Sequence, residues 1–132
     1  MSKLAVQTTE KNDQSHDLKL PELPPRCVWQ SDGTVLMTLE KTISLKGSNN
    51  AGPNTVEITE LVFQDLDGGA LMDMSAYLTS GLRMGFLIGV STGHTGPVGE
   101  KVVRAIKGRD YRRAEKIVDI FTDGGLTIGT SV

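Results

Sequence analysis

The 132 residues suffice for one domain with a real hydrophobic core, and 38% apolar against 23% charged residues is the balance of an ordinary soluble protein. Cys27 is the only cysteine, which excludes an internal disulfide and with it a disulfide-stapled secreted domain. The net charge of −2 conceals a polarity: Ser31–Ser75 sets Lys41 and Lys46 against seven acids, whereas Glu100–Lys116 sets seven basic residues against three acids. That asymmetry speaks of partners and solubility, not of fold.

Residues 1–30 are polar, carry both signs of charge and include Pro21, Pro24 and Pro25, which interrupt any helix. They lack the apolar run of a signal peptide. A disordered or loosely attached tail is expected, ending in the patch Cys27-Val28-Trp29, with Trp29 as its anchor onto the domain. Thr34–Lys46 alternates, with Val35, Met37, Leu39, Ile43 and Leu45 on one face, so a half-buried strand is predicted. Lys41 breaks that face and marks a bend or bulge. The turn-forming run 47–54 follows, and then Thr55–Phe63, a second strand that changes face near Thr59–Glu60. The two strands are expected to pair as an antiparallel hairpin.

Beyond Asp65 the apolar period becomes helical. Asp65 or Asp67 caps a short helix, Gly68 to about Met74, with Leu71 and Met74 turned inward. A second helix is predicted over Ala76–Val90. In it Gly81, Gly85 and Gly89 recur every four residues and so lie on one stripe. Each interior glycine costs about 0.5–1 kcal/mol relative to alanine, so close approach of another backbone is expected along the stripe. Leu82–Val90 is the longest apolar-leaning stretch; it contains Arg83 and falls far short of a bilayer span. A soluble intracellular protein is expected.

Ser91–Gly96 is predicted to be a flexible loop. Pro97 suits the first turn of a third helix ending at Gly108, and Asp110 caps a fourth. The fourth has the best amphipathic pattern in the chain: Tyr111, Ala114, Ile117, Val118 and Phe121. Gly124-Gly125 ends it. The predicted fold is α+β, an N-terminal β-hairpin followed by a bundle of three to four short helices, with one domain over 31–125 and a C-terminal tail over 126–132.

No motif points to catalysis. His16 lies in the polar tail and His94 in a glycine loop, neither with a Cys or His at ligand spacing. Asp65 and Asp67 are more simply caps than an acid–base pair. Gly93–Lys101 fails the phosphate-loop pattern, because Glu100 separates Gly99 from Lys101 and no buried strand precedes it. Catalytic residues, metal and cofactor are therefore all expected to be absent. Gly96–Ile106 looks like the hairpin and second helix of a helix-hairpin-helix DNA-binding element, although Gly96 and Pro97 stand in reversed order. Lys101, Arg104, Lys107, Arg109, Arg112 and Arg113 would then neutralise phosphates. The same residues also serve as the solvated faces of two amphipathic helices.

Thr38–Leu45 (TLEKTISL), Glu57–Asp65 (EITELVFQD), Asp67–Leu71 (DGGAL) and Asp110–Phe121 (DYRRAEKIVDIF) together resemble the small tail assembly chaperones of contractile-tailed phages. The resemblance covers about Val35 to Gly124 and is carried by short apolar patterns. The long polar N-terminus, the glycine stripe and the loop through His94 depart from it. It implies a non-enzymatic helper in the host cytoplasm that binds the tape measure protein, keeps its apolar helices soluble and helps recruit tail tube subunits. Such proteins are often also made in a longer frameshifted form. Leu71, Tyr111, Val118 and Phe121 match the family's helix positions, as core or as contact surface. Met74, Gly81, Gly85 and Gly89 complete the expected protein-binding set, and the glycine stripe also leaves room for self-association. The alternatives are a DNA-binding module and a structural component of the tail.

Overall fold

A computed structural model describes residues 20–46 and 55–122. Residues 1–19 of the N-terminal tail expected over 1–30, the C-terminal tail 126–132, the turn 47–54 and the stop at Gly124-Gly125 lie outside the described residues. The fold is α+β: a three-stranded antiparallel sheet followed by four helices. The strands are β1 (Cys27–Trp29), β2 (Val35–Lys46) and β3 (Thr55–Phe63), in the order β1-β2-β3. The helices are α1 (Gly68–Met74), α2 (Ser80–Thr92), α3 (Gly96–Ala105) and α4 (Gly108–Thr122).

β2 and β3 form the expected hairpin, and β1 adds a strand where a loose tail was expected. Cys27, Val28 and Trp29 pair with Met37, Leu36 and Val35. Gly33, at φ 88°, makes the connecting turn, a left-handed conformation that favours glycine. Trp29 is the anchor. Its ring meets Phe121 edge-on at 5.9 Å, and its Nε1 donates to the Pro21 carbonyl at 3.0 Å.

The break at Lys41 is a bulge. Pairing runs from Val35↔Phe63 to Thr38↔Glu60, then resumes at Ile43↔Ile58, so five steps along β2 match two along β3. The bulge strips backbone groups of ladder partners, and side chains replace them. Arg26 donates from Nε to the Thr38 carbonyl and from Nη2 to the Leu39 carbonyl, at 2.9 and 2.8 Å. Asp110, from the first turn of α4, accepts the Glu40 N–H at 3.0 Å and the Lys41 N–H at 3.2 Å. Arg113 completes the cluster by donating to Asp110 and to Glu40.

One sheet face packs on the helices. Val35, Met37, Leu39 and Ile43 of β2 and Leu61 and Phe63 of β3 meet Leu87, Ile88, Val102, Ala114, Ile117 and Val118. The outward face carries a single apolar row, Val28–Leu36–Val62, set by the strand register.

Thr79 caps α2, its Oγ1 accepting the Leu82 N–H at 3.1 Å, so the helix starts at Ser80 and not at Ala76. Its end also differs from expectation. Ser91 is fully buried helix, not loop; its Oγ donates to the Gln64 carbonyl at 2.7 Å while the Gln64 N–H donates to the Ser91 carbonyl at 2.9 Å. Gly93, at φ 78°, closes the helix. Gly108 does not end α3, which stops where Ile106 turns to extended backbone, but begins α4. Asp110 accordingly lies inside the helix, only 1% exposed, and not at its cap. The other caps follow expectation: Asp67 accepts the Ala70 N–H at 2.9 Å, and Pro97 sits in the first turn of α3.

Candidate functional site

The glycine stripe of α2 has three different surroundings. A Cβ on Gly89 would stand 2.5 Å from the His94 carbonyl oxygen, so here the expected close backbone approach occurs. At Gly85 it would meet only side chains, the Tyr111 hydroxyl at 3.6 Å and Val103 at 3.9 Å, which is ordinary contact. At Gly81 it would meet nothing within 4 Å. The stripe is thus covered at its C-terminal end and open toward its N-terminal end, which corrects the expectation of a backbone along its whole length.

The open part floors a groove of about 590 Å³. Leu82 and Phe86 of α2, with Tyr77 from the turn before it, form one wall. The Tyr77 and Phe86 rings lie 5.1 Å apart at a 35° tilt, so this wall is an aromatic pair. Val103, Arg104 and Glu100 of α3 form the other wall, with Tyr111 of α4 beside them, and His94 to Pro97 closes one end. Burial dominates the electrostatics. It holds His94 below its ordinary value, so the ring is neutral at neutral pH. Burial, assisted by Glu115, raises Tyr111, which keeps its proton. Arg104 bonds Glu100 at 2.8 Å on the open rim. Its surface suits an apolar ridge with few polar groups.

Four of the eight sequence-predicted binding residues come together here: Gly81, Gly85, Gly89 and Tyr111. The other four do not. Val118 is fully buried in the core, Phe121 packs on Trp29, and Leu71 and Met74 are half-buried against the core from α1. Tyr77, Leu82 and Phe86 were not singled out from sequence; three large apolar residues flanking a glycine stripe were the available signal. Exposed apolar side chains continue nearby in the chain, with Leu78 91% exposed and Met72 75% exposed.

The DNA-binding geometry is less well served. Gly99 of the proposed hairpin is buried against the His94 backbone inside the first turns of α3. Arg104, Arg109, Arg112 and Arg113 each face a carboxylate, on Glu100, Glu40, Glu115 and both Asp110 and Glu40 respectively. Lys101 and Lys107 have no such partner among the described residues. Among those residues, no three His, Cys, Asp or Glu side chains gather as a metal site, and no helix is long and apolar enough to cross a membrane. Compared with protein-family models, curated proteins and solved structures, the chain matches none.

Proposed function

We propose that this protein is a non-enzymatic assembly chaperone that receives an apolar helical segment of another protein in the groove on the glycine face of α2. In the setting implied by the sequence resemblance, it is a tail assembly chaperone of a tailed phage, acting in the host cytoplasm on the tape measure protein and assisting tail tube assembly. The supporting observation is the opening of Gly81 and Gly85 onto a groove walled by Tyr77, Leu82 and Phe86. Gly85, inside α2, weakens the helix by roughly 0.5–1 kcal/mol, and among the described residues no close backbone contact requires either glycine. Burial of Leu87 and Ile88 on the same helix, about 2 kcal/mol each, outweighs that cost. What the missing side chains supply is depth, which a partner's apolar ridge can fill in the helix-in-groove mode. Half-buried Met84 and exposed Met72 add adaptable surface.

Co-expression with a tape measure protein tests the proposal. The chaperone co-purifies with it, suppresses its aggregation as followed by light scattering, and does so with modest salt sensitivity. Duplex DNA binding that weakens steeply with salt would instead support the nucleic-acid alternative. Retention in mature particles would support a structural tail component.

A further inference from the structure

The long strand β3 leaves one edge of the sheet open, and we infer that this edge takes up an extended, basic segment of another protein as a further strand. β3 pairs with β2 alone, since the sheet runs β1-β2-β3. The Thr38 N–H donates to the Arg26 carbonyl at 2.9 Å, so the even-numbered peptide groups in this part of β2 face β1 and the odd-numbered ones face β3. Their partners Leu61 and Phe63 complete the ladder, and the N–H and C=O of Glu60 and Val62 point away from the sheet. Gln64, next in this series, is covered: its N–H donates to the Ser91 carbonyl of α2, and its carbonyl accepts the Ser91 hydroxyl. Among the described residues no protein group answers Glu60 and Val62 in the same way. At nine residues without Lys or Pro, the strand carries little that would block an added neighbour.

The side chains along the edge decide which strand fits. Glu57 and Glu60 stand beside the inward-facing Ile58 and Leu61, so both lie on the outer face, exposed. Glu57 takes only a 3.5 Å bond from the Ser44 hydroxyl, and neither glutamate forms an ion pair among the described residues. No Lys or Arg occurs between Lys46 and Arg83. Val62, on the same face, ends the apolar row that begins at Val28 and Leu36. A second copy is a poor occupant, because two-fold pairing of β3 with itself gathers the glutamates of both chains on one strip. A strand with Lys or Arg beside Glu57 and Glu60 and an apolar residue beside Val62 matches the whole edge. Backbone bonds supply its affinity and the cations select it. Each cross-strand charge pair contributes roughly a two- to fivefold gain in affinity, and two pairs give on the order of tenfold.

Two extended peptides of about eight residues test this. They share one Val/Thr framework and differ only in carrying Lys or Glu at the positions that meet Glu57 and Glu60. Each is titrated into the full chain while the amide resonances of Glu60 and Val62, and their exchange with solvent, are followed. The Lys peptide binds on the order of tenfold more tightly and slows exchange at both amides. The Glu57→Lys/Glu60→Lys variant, altered only at exposed positions, inverts the preference. Equal affinity for the two peptides would overturn the selection by charge. Binding that leaves both amides exchanging as before would overturn strand addition, and binding of neither peptide would overturn both. Slow exchange at Glu60 and Val62 in the chain alone, with a dimer in sedimentation, would make a second copy the occupant and overturn the inference. No residue of β3 lines the groove, so each of these failures leaves the groove proposal as it stands.

Discussion

Asp110 on α4 accepts the backbone N–H of Glu40 on β2 through both carboxylate oxygens, each at 3.0 Å, across 70 residues of sequence. The same carboxylate takes the Lys41 N–H and an Nη of Arg113, so one buried anion satisfies the bulge and fastens α4 to the sheet. Asp110→Ala leaves those donors without their acceptor and is expected to cost about 3 kcal/mol. Asp110→Asn retains one acceptor oxygen and should cost clearly less. Urea unfolding of the two variants checks the order; equal losses would show that the charge and its second oxygen contribute nothing.

Gly85 and Gly89 of α2 separate under substitution by alanine. Gly89→Ala drives a methyl into the His94 carbonyl and should destabilise by about 1–3 kcal/mol. Gly85→Ala makes only ordinary contacts and should stabilise α2 by roughly 0.5 kcal/mol. Gly85→Leu projects into the groove, and should weaken binding of a helical partner at least about tenfold with the fold retained, whereas Arg112→Ala leaves binding nearly unchanged. Thermal melts paired with binding titrations decide the matter.

Stability should fall in two acid steps, the upper set by His94 and the lower shared by Glu40 and Asp32, whose carboxyl the Thr34 hydroxyl holds down. Burial lowers the folded-state value of His94 below its ordinary 6.5. As the pH drops past 6.5, the unfolded chain therefore binds a proton before the folded one does, and stability declines until the folded value is passed. Glu40 is lowered from its ordinary 4.5, chiefly by the hydrogen bond from Arg113. Its contribution is complete above 4.5 and disappears as the pH falls through the folded value. His94→Gln should flatten the first step and leave the second, and Glu40→Gln should leave the first and reduce the second, in urea midpoints measured across pH.

Removing the anchor of β1 tests whether this strand belongs to the fold. Trp29→Ala deletes the edge contact with Phe121 and the hydrogen bond to Pro21, and is expected to cost about 2 kcal/mol. Amides of residues 27–29 should then exchange with solvent faster than those of β3. Unchanged protection would mean that the β1–β2 ladder holds without the indole.

The sheet was largely legible because period two is local: the alternation in β2, its break at Lys41 and the change of face in β3 all appear in the structure. β1 was hidden because three residues behind prolines carry too little periodicity. Asp110 was misread for a similar reason. An aspartate near a helix start has the signature of a cap, and its true partners lie on a strand that no local window includes. Gly108 resembled a stop because glycine ends helices more often than it begins them. Half of the candidate site could be read from the glycine spacing and Tyr111. The wall of Tyr77, Leu82 and Phe86 could not, since apolar residues look alike until packing decides which are covered.

The junction between α4 and the sheet also governs which positions are free to vary. Lys41 offers Asp110 only its amide, while its own side chain points to solvent. Any amino acid with a backbone N–H can stand at 41, and proline alone is barred. Freedom on the strand side of this crossing is therefore confined to position 41, since its neighbour Glu40 holds Arg113 by its side chain and position 110 must stay acidic.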